Sequence, residues 1–257
     1  MRYKLIFIIF ICLNFIICAS AQKKIEDAKN NDLQYQYNMG LFYLNQGIVD
    51  EAIKFLNRVL ELNPRHDLAL YALGLSHSMN GNFEESVKHL QNCLKINPTL
   101  TDARNALGAI YQETGLLDQA EKEFRIAISD ENYKAKDNSY YNLARIYMTK
   151  GNLQEALNHV EKALGINRSM VMAHNLRGII YEGLNDFAKA IDSYKIALKT
   201  LREDAREKDV DINFNLAVAY FKNNDFDKAK EIFVKISARV IEPAKKAEIN
   251  QYLKLIK

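Results

Sequence analysis

The chain has 257 residues, of which 35 are Lys or Arg and 32 Asp or Glu, giving a formal net charge of +3 with 48% hydrophobic residues and 3 cysteines. That balance, with no basic block and no interleaving of aromatic and basic residues, excludes a nucleic-acid binder. So few cysteines exclude a disulfide scaffold, so a fold of this length must be held by its apolar core.

The N-terminus speaks of location. Met1 to Lys4 is short and basic, Leu5 to Ile17 is apolar apart from Asn14, and Ala19, Ser20 and Ala21 supply a small-x-small cleavage signature. This is the grammar of a secretory signal over residues 1–21, with Gln22 starting the mature chain and a linker over 22–32. Two other processings compete. Cys18 is a candidate for lipidation, although Ile17 is larger than the Gly or Ala usual before a lipidated cysteine. An uncleaved anchor is the third, with Leu5 to Ala21 at the short limit for a bilayer core of about 30 Å. All three send the rest of the chain out of the cytoplasm, to the periplasm or cell envelope. Removing Arg2 and Lys4 leaves 33 basic against 32 acidic residues, a formal charge of +1 that names no partner.

From residue 33 onward the chain repeats itself. Gly40, Gly74, Gly108, Ala144, Gly178 and Ala217 recur in one local frame at steps of 34, 34, 36, 34 and 39 residues. Near-copies of such a unit bury their apolar faces only by stacking. The copies span 33–66, 67–100, 101–134, 137–170, 171–204 and 210–243, and each reads as two amphipathic helices. In the first, Met39, Gly40 and Tyr43 share a face, Gly47 breaks the chain, and Ala52, Leu56 and Val59 form a second stripe that Pro64 ends. Pro98 repeats that stop. Gly inside a helix costs roughly 1 kcal/mol relative to Ala, so the two helices of a unit must touch there. Ala52, Ser86, Ala120, Ala156, Ala190 and Ala229 are expected to face the glycines, and Leu56, Leu90, Phe124, Val160, Tyr194 and Phe233 to fill the space between units.

Units five and six are looser, with Arg177 in place of Leu and Asn185 and Asn224 in place of the turn Gly; Asn tolerates the left-handed conformation that such a turn needs. The charged run Leu201 to Asp209 reads as an extra helical turn and loop, and Ala244 to Lys257, with Ala247, Ile249, Leu253 and Ile256 on one side, as a capping helix. Cys93 takes a small-residue packing place. His77 stands where other units have Tyr, as a packing substitution, while His66, His89, His159 and His174 show no shared frame. There is no phosphate loop, His-Glu-x-x-His, Gly-x-Ser-x-Gly or Cys-x-x-Cys, and the repeat leaves no second domain for an active site. The chain reads as a non-enzyme with no cofactor and no metal.

With this placement of Leu-Gly-xx-Tyr, Gly, Ala, Phe, Ala and Pro, clearest from Leu107 to Ala127, the chain resembles the tetratricopeptide repeat (TPR) proteins over residues 33–243. The resemblance implies an all-α, right-handed α-solenoid of six helical hairpins with a C-terminal capping helix over 244–257. It also implies a concave groove lined by each unit's first helix. Here the lining residues are Tyr37, Leu41, Leu44, Tyr71, Leu75, Met79, Asn105, Ala109, Asn138, Tyr141, Asn142, Arg145, Met148, Asn175, Ile179, Phe214 and Val218. Some relatives use a Lys/Asn/Asn/Lys/Arg clamp for a chaperone carboxyl terminus; Tyr37, Leu41, Ala72, Asp102 and Ala106 stand at those positions, so that clamp is absent. The groove is expected to take a protein or peptide segment, apolar at one end, where Tyr and Met anchor, and polar at the other, where Asn pairs with backbone. Alternatively Tyr37, Leu41 and Leu44 pack against residues 22–32 or a second copy. The chain thus reads as an interaction scaffold of the envelope, with a self-assembling structural protein, or a regulatory or substrate-presenting subunit of an enzyme on another chain, as the alternatives.

Overall fold

A computed structural model describes residues 22–23, 26–206 and 208–256. The leader and the Cys18 lipidation reading lie outside the described residues. The chain divides between Leu116 and Leu117 into two compact units, and among the described residues every regular element is a helix.

The first unit holds α1 (Leu33–Asn45), α2 (Val49–Leu62), α3 (Asp67–Met79), α4 (Phe83–Ile96) and α5 (Thr101–Glu113). Each helix packs on its chain neighbour, and α3 touches both α1 and α5, so the first helices of successive hairpins form one layer. Two clusters fill this unit, one around Leu56, Val59 and Leu73 and one around Leu90, Cys93 and Leu107. Cys93 is fully buried, and burial, then the charge of Asp67, pushes its thiol up to about 11. It is a packing residue and not a nucleophile.

The second unit runs through α6 (Leu117–Ser129), α7 (Lys136–Thr149), α8 (Leu153–Ile166), α9 (Val171–Gly183), α10 (Phe187–Thr200), the single turn α11 (Glu203–Arg206), α12 (Val210–Lys222), α13 (Phe226–Ser237) and α14 (Pro243–Leu255). Here too α7 touches α9 and α9 touches α12. The charged run supplies α11, whose Arg206 donates to the carbonyls of Leu201 and Lys199. The last helix buries Ile249 while Ala247 stays exposed, and Tyr252 stacks on Phe233 at 5.0 Å.

Local chemistry repeats with the fold. The turns inside the last two hairpins place Asn185 and Asn224 at φ of 60° and 62°, the left-handed region that Gly81 takes at 73° in the second. At two hairpin ends an asparagine does double service. Asn97 accepts from the Thr99 amide at 3.2 Å and donates to Asp67 at 2.7 Å, while Asn167 accepts from the Ser169 amide at 3.2 Å and donates to Asp137 at 2.9 Å. Each bond ties the end of a second helix to the start of its own first helix.

Two expectations are corrected. A Cβ on Gly40 would lie 2.7 Å from Leu56, on Gly74 2.6 Å from Leu90 and on Gly178 2.3 Å from Tyr194. The large residue of the second helix therefore fills the space over the glycine, not the small one four positions earlier. The small one serves the backbone, as when Ser86 donates to the Gly74 carbonyl at 2.7 Å. Two of the four histidines, His89 and His159, do share a frame: Tyr43 stacks on Phe55, His77 on His89 and Tyr147 on His159, with centroids 5.4, 5.2 and 5.2 Å apart and planes within 20°, 6° and 8°. His89 and His159 thus occupy the place that Phe55 holds in the first hairpin. Nδ1 of His77, His89 and His159 is buried without a hydrogen-bond partner.

Between α6 and α7 a polar clasp forms. Tyr147 donates to Glu121 at 2.5 Å, Arg125 reaches both, and Lys150 bridges Asp118 at 2.7 Å and Glu121 at 2.9 Å. Burial alone would raise the Glu121 carboxyl, but hydrogen bonds from Tyr147, Lys150 and Arg125 outweigh it and hold the group at about 2. Because the folded value lies below the usual one, this stabilisation is complete above about pH 4.5 and is lost as pH falls toward 2. Glu121→Gln should cost about 1 kcal/mol at neutral pH, discounted for the clasp's surface position, and flatten acid unfolding in that window when followed by circular dichroism.

Candidate peptide-binding face

In the first unit the layer of α1, α3 and α5 carries Tyr37, Leu41, Leu44, Tyr71, Leu75, Met79 and Asn105. Tyr37, Leu41 and Leu44 are half-buried against Leu56, Val59, Ala69, Ala72 and Leu73, and the Tyr37 ring lies 4.9 Å from His66. Tyr71 is half-buried against the cluster of Leu70, Leu90 and Cys93, and burial, with Asp102 and Cys93, raises its phenol. Leu75 and Asn105 are half-buried and Met79 is 57% exposed. These side chains do part of the core's work and keep an open face, the double use that suits a rigid anchor.

Residues 26–32 go elsewhere. Lys29 offers its carbonyl to Gln36, Arg58 donates to the Asn30 carbonyl and to Asn31, and Lys29 sits 5.6 Å from the Tyr35 ring. The segment therefore lies on the Tyr35 and Arg58 side of the first hairpin, where a cleft of about 750 Å³ is lined by Tyr35, Gln36, Lys54, Phe55 and Arg58. Among the described residues no earlier hairpin covers that side, a consequence of repeat order that the sequence reading did not draw.

In the second unit α7 carries Tyr141, Asn142 and Arg145, and α9 carries Asn175. Tyr141 packs against the cluster of Ala144, Ala156 and Val160, and the Arg145 guanidinium lies 6.0 Å from its ring centroid. Asn175 accepts from Asn215 on α12 at 3.1 Å. Sequence reading missed Asn215, which sits one position after Phe214 in the same helix. Phe214 and Val218 are corrected: each is only 7% exposed, and Phe214 is enclosed by Phe233, Tyr252 and the Lys245 ammonium, 4.2 Å from its ring. At Phe214 the C-terminal helix occupies the place assigned to a ligand.

Among the described residues no group of three or more His, Cys, Asp or Glu is placed to hold a metal ion. None of their helices is long and apolar enough to cross a membrane.

Family models for the tetratricopeptide repeat match residues 34–66 and 67–100, the first two hairpins, and the model for the C-terminal ARM domain of tetratricopeptide repeat protein 21 matches 119–242. The chain is a tetratricopeptide repeat protein. Solved TPR structures share its fold. PilF of Pseudomonas aeruginosa superposes with a TM-score of 0.75 at 16% identity, covering 85% of this chain and 96% of that one. PilW, a widely conserved type IV pilus biogenesis factor, gives 0.73 at 13% identity over 80% and 92%. YrrB, a TPR protein with an unusual peptide-binding site, gives 0.54 at 17% over 72% and 94%. No curated protein matches the TPR chain in sequence.

Proposed function

We propose that this TPR protein is a non-catalytic scaffold of the cell envelope whose first-helix face holds a peptide or helical segment of another protein. The observation that carries the reading is the layer of α1, α3 and α5, in which Tyr and Leu side chains stay half-open beside Met79, 57% exposed, with no segment of the described chain over them. Location rests on the leader grammar of residues 1–21 and on the likeness to PilF and PilW, the latter a pilus biogenesis factor. Self-assembly is the second reading, favoured by Phe42 of α1, 54% exposed beside the open first hairpin.

A photo-crosslinking residue at Met79, compared with one at Lys88 on the second helix, tests the face in intact cells. The expected result is one discrete adduct at Met79 alone, abolished by Tyr71→Ala with Leu75→Ala while helicity is retained. Equal adducts at both positions, or survival in the double variant, would overturn the groove; an adduct of twice the chain mass would select self-assembly. Fractionation, with the mass of the mature N-terminus, decides between Gln22, a lipidated Cys18 and an intact Met1.

A further inference from the structure

Several basic side chains of the second unit meet carboxylates. Arg125 and Lys150 share Glu121, Arg177 meets Glu161 at 3.3 Å, and Lys222 meets Glu182 at 2.9 Å. Arg145 is the contrast. It is half-buried in the middle of α7, lies over the Tyr141 ring, and has no carboxylate partner among the described residues. A half-buried guanidinium beside an aromatic ring has lost part of its hydration, which an incoming anion with matching acceptors would replace. On the same two helices, Asp137 of α7 is tied to Asn167, and Glu182 of α9 to Tyr194 and Lys222. One turn before Arg145 on α7, the Asn142 side chain has no hydrogen-bond partner among the described residues, and Asn175, its oxygen occupied by Asn215, keeps its amide donors. Met172 at 60% exposure and Ile179 at 37% add apolar contact on α9.

We propose that this face binds an acidic peptide segment in extended form, with an internal Asp or Glu carboxylate on Arg145, backbone carbonyls on the Asn142 and Asn175 amides, and an apolar side chain against Met172 and Ile179. The inference rests on the groove reading and names its ligand class. An internal carboxylate is favoured over a chain end because donors and apolar groups continue along α7 on both sides of Arg145, from Tyr141 to Met148. Charge-assisted bonds to a fork of donors give the selectivity.

The test uses the full mature chain and immobilised peptides, blocked at both ends, that carry one central Glu flanked by Leu and Ala, with Gln twins and a third set bearing a free terminal carboxylate. Glu peptides are expected to bind roughly tenfold or more above their Gln twins, with the preference shrinking as salt rises. Arg145→Gln should erase the preference and leave the melting curve unchanged; Arg145→Lys should keep part of it. Equal binding of Glu and Gln peptides, absence of binding, or binding of free-ended peptides only would each overturn the proposal. The Met79 crosslink reports separately on the groove, so either reading can fail alone.

Discussion

Gly178→Ala is expected to destabilise the protein by about 1–3 kcal/mol, the cost of forcing extra atoms into a filled core, although alanine is the better helix former by roughly 1 kcal/mol. The new Cβ would meet three ring atoms of Tyr194 at 2.3 to 2.6 Å. That ring cannot retreat. It is fully buried and its hydroxyl is anchored to Glu182 at 2.6 Å. Gly165, also helical but with nothing within 4 Å of its added Cβ, is the internal control: Gly165→Ala should stabilise by about 0.5–1 kcal/mol. Chemical denaturation of both variants checks the pair, and opposite signs are the expected outcome. If both substitutions stabilise, the close crossing at Gly178 is wrong.

Acid should weaken the protein through its stacked imidazoles. Burial, then the neighbouring His77, holds the His89 pKa below its ordinary value against the pull of Glu85; burial, then Lys162 and Arg125, does the same for His159. In the unfolded chain both titrate near 6.5. Above that pH neither state binds the proton and stability is level; below it the unfolded chain takes up protons that the folded one refuses. Stability then falls by up to about 1.4 kcal/mol per pH unit for each proton so withheld, until the folded values are passed. The melting temperature should therefore drop between pH 7 and 5. His89→Phe with His159→Phe should remove much of the drop, and Phe fits the frame because Phe55 already stacks there on Tyr43. An unchanged pH slope in that double variant would show that other groups govern it.

The hairpins were legible because one constraint, close approach of two helices, wrote small residues into the chain at a fixed period. What lay beyond reach was which atom meets which. Gly74 announces a crossing, but only the three-dimensional register says that Leu90, not Ser86, fills it. Arg145 looks in sequence like any surface arginine; only the structure places it half-buried over the Tyr141 ring. Phe214 sits in a lining position by period, yet Tyr252 on the last helix lies against it where a ligand would be. His89 and His159 escaped because Tyr or His on the first helix and Phe or His on the second are interchangeable only as flat rings, an equivalence of shape rather than of letters.

The asparagine bridges, Asn97 to Asp67 and Asn167 to Asp137, latch two hairpins shut upon themselves. Stretched by its ends in an optical trap, such a molecule should yield in discrete events, each releasing one whole latched loop, and a Asp67→Ala variant should lower the force of a single event while sparing the rest.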